Sequence, residues 1–174
     1  VSRMGVVPLS FSLDNVGPLT RTVEDNALML QTIAGHDPKD PASAPRPVDD
    51  YMDSLKSGVK GLKIGLIRHF YNEDMIADEE MTAGIENAAK LLESMGAEVR
   101  EIRLPPLSQY AACNRVILLS EAYAIHQKDL QTRPGDYSAT TRRRLLPGAF
   151  MSGADYVNAT RMREKLVAAF NEAM

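Results

Sequence analysis

Apolar residues recur at helical spacing near the start of the chain, at Val23, Ala27, Leu30 and Ile33 or Ala34. Residues at these intervals share one face of a helix. Thr22 and Asp25 match the capping-box pattern, in which a hydroxyl and a carboxylate satisfy the free N–H groups of a helix start. Gly35 can adopt the left-handed backbone that ends a helix. The pattern therefore predicts a helix that begins after Thr22 and ends at Gly35.

A second stretch changes from a strand pattern to a helical pattern and back. Residues 61–68 are a short apolar run with β-branched content, bounded by turn residues, and predict a buried strand. Residues 97–104, which end at Pro105 and Pro106, predict a second strand. Between them Asp78 can cap a helix that ends at Gly96. Its apolar positions are Met81, Ile85, Ala88 or Ala89, Leu92 and Met95. Strand, helix and strand in about forty residues predict a βαβ unit with parallel strands.

The last third of the chain is helical in pattern. Residues 109–131 contain no Gly or Pro and predict a largely buried helix. Its proposed apolar face comprises Ala112, Val116, Leu119, Tyr123 and His126 or Gln127. Residues 140–151 predict a short helix that stops near Pro147-Gly148. Ser152 and Asp155 form the capping-box pattern of a final helix, which is still apolar at its last turn, so we expect Met174 not to be a natural terminus.

Proline interrupts the segment between the first helix and the first strand, at positions 38, 41, 45 and 47. Neither a helix nor a central strand persists through such a segment, so we predict a connecting loop, with a flexible linker between domains as the alternative. At 174 residues and 44% hydrophobic composition, the chain can bury one core. We therefore predict a single, partial domain with four segments: 1–35, 36–60, 61–108 and 109–174.

Charge and composition exclude several classes of function. A net charge of −3 gives no reason to expect a nucleic-acid partner, and the basic run Arg142 to Arg144 spreads around a helix and forms no single stripe. No apolar run approaches the ~20 residues that a membrane helix needs, and nothing resembles a signal peptide. The lone Cys113 excludes an internal disulfide framework and indicates a reducing, cytoplasmic compartment.

The three histidines do not suggest a metal site. His36, His69 and His126 lie on separate predicted elements, and none has a second histidine three or four residues away. The sequence therefore predicts neither a metal nor another cofactor.

The first 25 residues, VSRMGVVPLSFSLDNVGPLTRTVED, closely resemble a run typical of amidase signature enzymes. The likeness continues in the G-x-D-P-x-D-P-x-S loop after Gly35, in LKIGLI, in MGAEV and in SEAYAIH. The resemblance implies an α/β protein with part of the amidase signature fold: a βαβ unit with parallel strands and a helix-rich C-terminal half. It also implies an amidase that hydrolyses a carboxylic amide C–N bond through a serine acyl-enzyme.

The catalytic residues of that family are a nucleophilic serine, a second serine that relays the proton and a lysine base. The chain contains neither a Gly-Gly pair nor a Gly-Ser-Ser run, and the resemblance places the matching stretch before Val1. We therefore assign no catalytic residue. We expect an internal or C-terminal piece of an amidase that is inactive alone.

Ser12 and Asp14 match positions of the family run and are the candidate site residues. A carboxylate in a Gly-flanked loop can accept several backbone N–H bonds and hold neighbouring loops in register. We predict that Asp14, with Ser12, supports the active site without touching substrate. Direct contact with substrate and ordinary capping of a turn are the alternatives.

Two other functions are consistent with the residues. The first is that of the glutamyl-tRNA amidotransferase subunit that releases ammonia from glutamine for transamidation. Asn114 and Arg115 stand where paired tyrosines are expected in that subunit, which favours a free amidase. The second is a non-catalytic structural domain. For either enzyme the expected partner is a small amide substrate. An exposed edge of the incomplete sheet predicts self-association of the chain.

Overall fold

The computed structural model describes residues 1–174, apart from the side chain of Ser54, and the chain divides into two compact units, Val1–Gly58 and Val59–Met174. The first unit is mostly loop and contains the helices α1 (Val23–Ile33) and α2 (Tyr51–Ser54). The second unit contains, in chain order, β1 (Lys63–Leu66), α3 (Glu79–Ser94), β2 (Glu98–Glu101), α4 (Leu107–Thr132), α5 (Ala139–Leu145) and α6 (Gly153–Ala173).

Helix α1 begins and ends where the sequence predicts. The hydroxyl of Thr22 accepts the N–H of Asp25 at 3.0 Å, which satisfies one of the free donors of the first turn. The helix ends at Ile33, and Gly35 follows with a φ of +147°. Of the predicted apolar face, Ala27 is buried, whereas Val23 is 72% exposed. The hydroxyl contact of the predicted capping box is therefore confirmed, and the helix leaves much of its apolar surface in solvent.

The predicted βαβ unit is confirmed. Strands β1 and β2 pair in parallel, with Ile64 opposite Val99, and α3 connects them. Asp78 accepts the N–H of Met81 at 2.7 Å and so caps the start of α3. At its end, the N–H of Gly96 donates to the carbonyl of Glu93 and the N–H of Ala97 to that of Leu92. This is a Schellman motif, and Gly96 permits it with a φ of +97°.

The strands differ from the prediction in length and burial. Each contains four residues, and β1 is half-buried or exposed along its length, so the prediction of a buried strand is wrong. A strand is buried when it has neighbours on both sides and cover on both faces. Among the described residues, β1 has the single neighbour β2.

Arg68, just after β1, ties the unit together on its surface. Its guanidinium donates to Glu86 of α3 at 2.7 and 2.8 Å and to Glu101 of β2 at 2.8 Å. The hydroxyl of Tyr71 donates to the same Glu86 carboxylate at 2.8 Å. One arginine therefore links both strands and the connecting helix.

Helix α4 packs against α6 and against the 3₁₀ turn Leu146–Phe150. Its buried residues are Cys113, Ile117, Glu121, Ala122 and Leu130. The predicted face is thus wrong by one position: Ala112 is exposed and Val116 is half-buried, while Cys113 and Ile117 are buried. Five of its 26 residues are buried, so the expectation of a largely buried helix is also wrong.

Helix α2 lies in the segment predicted as a connecting loop without a helix, so that part of the prediction is wrong; Asp50 starts it by accepting the N–H groups of Met52 and Asp53, both at 3.0 Å. The end of α5 and the start of α6 agree with the sequence. Helix α5 ends at Leu145, just before Pro147-Gly148. The capping box of α6 is complete, because Ser152 accepts the N–H of Asp155 at 3.1 Å and the Asp155 carboxylate accepts the N–H of Ser152 at 2.9 Å. No helix in the described part of the chain combines the length and apolarity required to cross a bilayer.

Candidate functional site

Two aspartates of the Pro-rich loop hold the first residues of the chain. The hydroxyl of Ser2 donates to the Asp37 carboxylate at 2.6 Å, and the backbone N–H of Arg3 donates to Asp40 at 2.8 Å. The Arg3 guanidinium also lies 3.5 Å from the Asp40 carboxylate. We call Ser2, Arg3, Asp37 and Asp40 the polar clamp. It joins segments that are 35 to 37 positions apart in the sequence.

The loop from Asp37 to Ser43 is braced internally. Asp37 Oδ1 accepts the N–H of Lys39 at 2.9 Å, and Asp40 Oδ1 accepts the N–H of Ala42 at 3.0 Å. The hydroxyl of Ser43 accepts the N–H of Asp37 at 2.8 Å, and Asp40 and Ser43 are both buried. The side chains of Asp37, Asp40 and Ser43 therefore hold the loop by hydrogen bonds to its own backbone.

Hydrogen bonds keep both clamp carboxylates ionised. The Ser2 hydroxyl, followed by the N–H of Lys39, lowers the pKa of Asp37 below its usual value. The N–H of Arg3, followed by that of Ala42, lowers the pKa of Asp40 in the same way. Each carboxylate thus accepts hydrogen bonds as an anion at neutral pH, and such bonds are stronger than those between neutral groups.

Arg3 extends the clamp to the loop that carries both predicted site residues. Its guanidinium donates to the carbonyl of Phe11 at 2.6 Å. Within that loop, the Asp14 carboxylate accepts the N–H groups of Leu9 at 2.8 Å and Ser10 at 3.0 Å. Asp14 therefore makes the contacts predicted from its type and surroundings. Whether it supports catalysis stays a prediction.

A depression of about 440 Å³ lies beside these groups. Its polar lining includes Arg3, Lys39, Asp40 and Asp14, and its apolar lining includes Val7 and Phe11. Ser12 belongs to the same loop as Asp14 but is exposed and does not line the depression. The structure thus brings Asp14 to a concave surface and leaves Ser12 outside it.

Sequence reasoning missed Asp37 and Asp40 as structural residues of this site. The prolines and the likeness to the family predict the loop but not the roles of its aspartates. A usable signal was present, since two aspartates three positions apart each precede a proline. Aspartate side chains in such turns often bond backbone N–H groups two residues further on, as both do here.

The other candidate residues have structural contacts. His36 Nδ1 lies 3.0 Å from the carbonyl of Ser43, and the buried His69 lies 3.1 Å from the carbonyl of Leu104 through Nε2. His126 Nδ1 contacts the Tyr137 hydroxyl at 2.9 Å. Among the side chains that the structure describes, no group of three or more His, Cys, Asp or Glu is placed to hold a metal ion.

Helix α4 contributes a buried acidic contact. Glu121 accepts the hydroxyl of Tyr156 in α6 at 2.8 Å. This hydrogen bond, with burial as the second cause, raises the pKa of Tyr156. Glu121 therefore holds two helices together. Asn114 and Arg115, which bear on the choice between two kinds of amidase, are exposed on the same helix.

Comparison with known proteins gives the family. The family model described as Amidase matches residues 1–174. The chain belongs to the amidase family. It is 40% identical over 163 residues to an amidase of Pseudomonas putida, and the match covers 94% of this chain and 34% of that amidase.

The same amidase family includes amidotransferase subunits that resemble this chain. It is 36% identical over 197 residues to a glutamyl-tRNA(Gln) amidotransferase subunit of Trichlorobacter lovleyi, covering 99% of this chain and 40% of that protein. Among solved structures, the corresponding subunit of Thermotoga maritima superposes with a TM-score of 0.77 at 33% identity, over 99% of this chain and 37% of that one. These findings confirm the predicted α/β fold of an amidase. The chain spans about a third to two-fifths of the length of these relatives.

Proposed function

We propose that this chain is part of an amidase that hydrolyses a carboxylic amide to a carboxylate and ammonia or an amine. A serine hydroxyl oxygen attacks the carbonyl carbon, the C–N bond breaks, and the nitrogen leaves with a proton taken from that hydroxyl. Water then attacks the acyl-enzyme, releases the carboxylic acid and restores the serine. We place the serine and its lysine base outside these 174 residues, in the larger part of the relatives' length that the chain does not match.

The observation that supports this proposal is the polar clamp with the Asp14 loop. Ser2, Arg3 and Asp14 lie in the first 25 residues, and Asp37 and Asp40 lie in the loop after Gly35 that shares the likeness to the family. The three carboxylates fix backbone positions by accepting N–H groups. We propose that Asp14 positions the loop from Leu9 to Ser10 beside the substrate, with Ser12 as a supporting residue on the same turn. In this role neither side chain touches the reacting amide.

An exchange protein tests the function. In it, this chain replaces the matching 163-residue stretch of the Pseudomonas putida amidase. We expect the exchange protein to release ammonia from simple aliphatic or aromatic amides and the isolated chain to release none. Turnover by the isolated chain would show that the chemistry lies within these residues. A folded, monodisperse exchange protein without activity on any amide would contradict the proposed function.

The second candidate is the corresponding subunit of a glutamyl-tRNA amidotransferase, supported by the 36% identity to such a protein. Asn114 and Arg115 favour the free amidase, because these exposed positions of α4 lack the paired tyrosines expected of the amidotransferase. The discriminating measurement offers the exchange protein glutamine and simple amides side by side. Preference for glutamine would favour the amidotransferase hypothesis.

The remaining proposals concern the domain organisation, localisation and self-association of the protein. We propose that both compact units belong to one partial amidase domain, because the family model runs through residues 1–174. We propose a cytoplasmic protein, consistent with the free Cys113.

Self-association through the sheet is also proposed, since β1 and β2 pair only with each other among the described residues. Size-exclusion chromatography of the isolated chain tests it, and a strictly monomeric chain would contradict it. A non-catalytic structural domain is the alternative if the exchange protein is inactive.

A further inference from the structure

The loop from Leu9 to Asp14 is held from two sides by side chains of opposite charge. The Asp14 carboxylate accepts two of its N–H groups, those of Leu9 and Ser10. The Arg3 guanidinium donates from Nη1 to the carbonyl oxygens of Phe11 at 2.6 Å and of Asp14 at 3.5 Å. An anion therefore binds backbone donors of the loop, and a cation binds its backbone acceptors. Ser10, between these contacts, is buried.

The Arg3 guanidinium is in turn held by the carboxylate of Asp40. Nε of Arg3 lies 3.5 Å from Asp40 Oδ2, and Nη2 lies 3.5 Å from Asp40 Oδ1, so two guanidinium nitrogens face both carboxylate oxygens. Asp40 is 6% exposed and also accepts the backbone N–H of Arg3 at 2.8 Å. A carboxylate that is itself fixed restricts an arginine side chain that would otherwise sample many rotamers. Asp40 therefore directs Nη1 of Arg3 towards the loop.

We propose that Arg3 and Asp40 are positioning residues for the amidase reaction, with Asp40 acting through Arg3 and Arg3 acting through the loop from Leu9 to Asp14. This role rests on the proposed function, in which the loop stands beside the substrate. Neither side chain touches the reacting amide. Their contribution is to keep the loop in one conformation, so that less order has to be gained when the substrate binds.

The contacts of Arg3 require a guanidinium. Its donors point in fixed directions within one plane, so Nε and Nη2 can face the Asp40 carboxylate while Nη1 reaches the carbonyl of Phe11. A lysine ammonium carries the same charge at a single point on a flexible stem. Arg3→Lys therefore keeps the attraction to Asp40 and loses the simultaneous contact with Phe11.

Kinetics of the exchange protein test the positioning role. Arg3→Gln and Asp40→Asn should each lower kcat by about tenfold or more, because a small misplacement far from the chemistry can reduce the rate by about a hundredfold. KM should change little, since neither side chain touches substrate. Arg3→Lys should recover only part of the loss in kcat. If Arg3→Gln does not fold, Arg3→Lys is the test variant, with kcat below that of the parent and KM unchanged.

Two controls separate positioning from charge and from stability. Arg46→Gln removes an exposed arginine of the same unit and should change neither kcat nor KM. Glu86→Gln removes the ion pair with Arg68 in the second unit and should lower the melting temperature while kcat stays at the parent value. A kcat that falls as much in Glu86→Gln as in Arg3→Gln would overturn the proposal, because turnover would then follow global stability.

The double variant that combines Arg3→Gln with Asp40→Asn tests whether Asp40 acts through Arg3. If it does, the double variant should lose no more kcat than Arg3→Gln alone, because the contact that Asp40 directs is already absent. Its melting temperature should nevertheless fall further, since the bonds of Asp40 to the N–H groups of Arg3 and Ala42 are weakened as well. Losses in kcat that multiply in the double variant would overturn the proposal.

Amide hydrogen exchange gives a readout that does not depend on turnover. Exchange at Leu9 and Ser10 should be faster in Arg3→Gln than in the parent and unchanged in Arg46→Gln. Unchanged exchange in Arg3→Gln, or full recovery of kcat by Arg3→Lys, would overturn the proposal and leave the proposed function intact. An unsubstituted exchange protein that folds but is inactive would contradict the proposed function, and the positioning role would fall with it.

Discussion

The carboxylate of Asp40 accepts the backbone N–H of Arg3 at 2.8 Å, although 37 positions separate the two residues. The same carboxylate accepts the N–H of Ala42 and lies 3.5 Å from the Arg3 guanidinium, which in turn donates to the carbonyl of Phe11. One buried anion therefore fixes three backbone segments. Among the described side chains of the surrounding unit, Ala27 is the one buried apolar residue, so polar contacts such as these contribute to its shape.

We expect Asp40→Asn to loosen the first unit locally. The amide keeps the shape of the side chain but loses the charge that strengthens its bonds to N–H groups, and its nitrogen cannot accept one of them. Amide hydrogen exchange, followed by mass spectrometry, should become faster at Arg3 and Ala42. Asp49→Asn, at an exposed position of the same unit, serves as the control. Unchanged protection at both amides would show that the Asp40 carboxylate does not hold these segments.

The second unit should lose stability in acid through Glu86. The Arg68 guanidinium, followed by the Tyr71 hydroxyl, lowers the pKa of Glu86 from 4.5 to about 2. A depressed pKa in the folded state stabilises the protein above the unfolded pKa, and this contribution disappears as pH falls through the folded pKa. The urea midpoint of the unit should thus be steady near neutral pH and fall between about pH 4.5 and 2.

The variant Glu86→Gln measures how much the ionised Glu86 carboxylate contributes to stability. The variant should be less stable near neutral pH and should show a weaker dependence on pH across the acid range, because the group that titrates is gone. Glu93→Gln, at an exposed position of the same helix, is the matched control. Two parallel stability curves for Glu86→Gln and the parent would mean that another carboxylate dominates the acid response.

Gly148 is predicted to be intolerant of any side chain. A Cβ at this position would collide with the carbonyl oxygen of Leu119 and lie 2.5 Å from the Cβ of Tyr123, so helix α4 would have to move. We expect Gly148→Ala to destabilise the chain by about 1–3 kcal/mol, as overpacking typically does. Chemical denaturation monitored by circular dichroism measures the change.

Two other glycines are controls for Gly148→Ala. A Cβ at Gly153, in the first turn of α6, meets nothing within 4 Å, so Gly153→Ala should be neutral or stabilise by up to about 1 kcal/mol. A Cβ at Gly65 would lie 2.5 Å from the Cδ1 of Ile102, which is the end of a flexible side chain that can rotate away. Gly65→Ala should therefore fall between the two. Equal effects at all three positions would contradict the predicted close contact at Gly148.

The features predicted correctly from sequence are those that local chemistry determines. Thr22, Asp78 and Ser152 each start a helix by accepting an N–H three residues later, and Gly96 ends one. Such contacts depend on residues close in sequence, so the sequence contains the whole signal. The parallel pairing of β1 and β2 follows from the same local elements, because a helical connection returns the chain in the same direction.

The features that the sequence did not predict depend on contacts between residues that are far apart in the chain. Helix α4 carries apolar residues on several sides, so spacing alone could not distinguish the Ala112 face from the Cys113 face; packing against α6 decides it. Likewise, no local rule pairs Asp40 with Arg3, because the partners are far apart in sequence. The prediction of a buried β1 assumed neighbouring strands that the described residues do not include.

Asp14 provides the most direct test of the candidate site. Its carboxylate accepts the N–H groups of Leu9 and Ser10 at 2.8 and 3.0 Å, and hydrogen bonds to a charged acceptor are worth about 1.5–3 kcal/mol each. Because Asp14 is half-buried, we expect Asp14→Asn to lower the free energy of unfolding by an amount near the lower end of that range. In the exchange protein the variant should lower the melting temperature and kcat together, while KM changes little. Ser12→Ala, on the exposed part of the same turn, should have a smaller effect on both.

The two measured quantities separate the possible roles of Asp14. If the carboxylate positions the loop, stability and turnover fall together, and Asp14→Glu, which keeps the charge but displaces it, recovers part of each. If KM rises strongly while the melting temperature is unchanged, the carboxylate contacts substrate and the positioning role is wrong. If neither quantity changes, Asp14 only caps a turn. The donors to Asp14 are the backbone N–H groups of Leu9 and Ser10, which the substitution leaves in place. Each result therefore reports on the carboxylate alone.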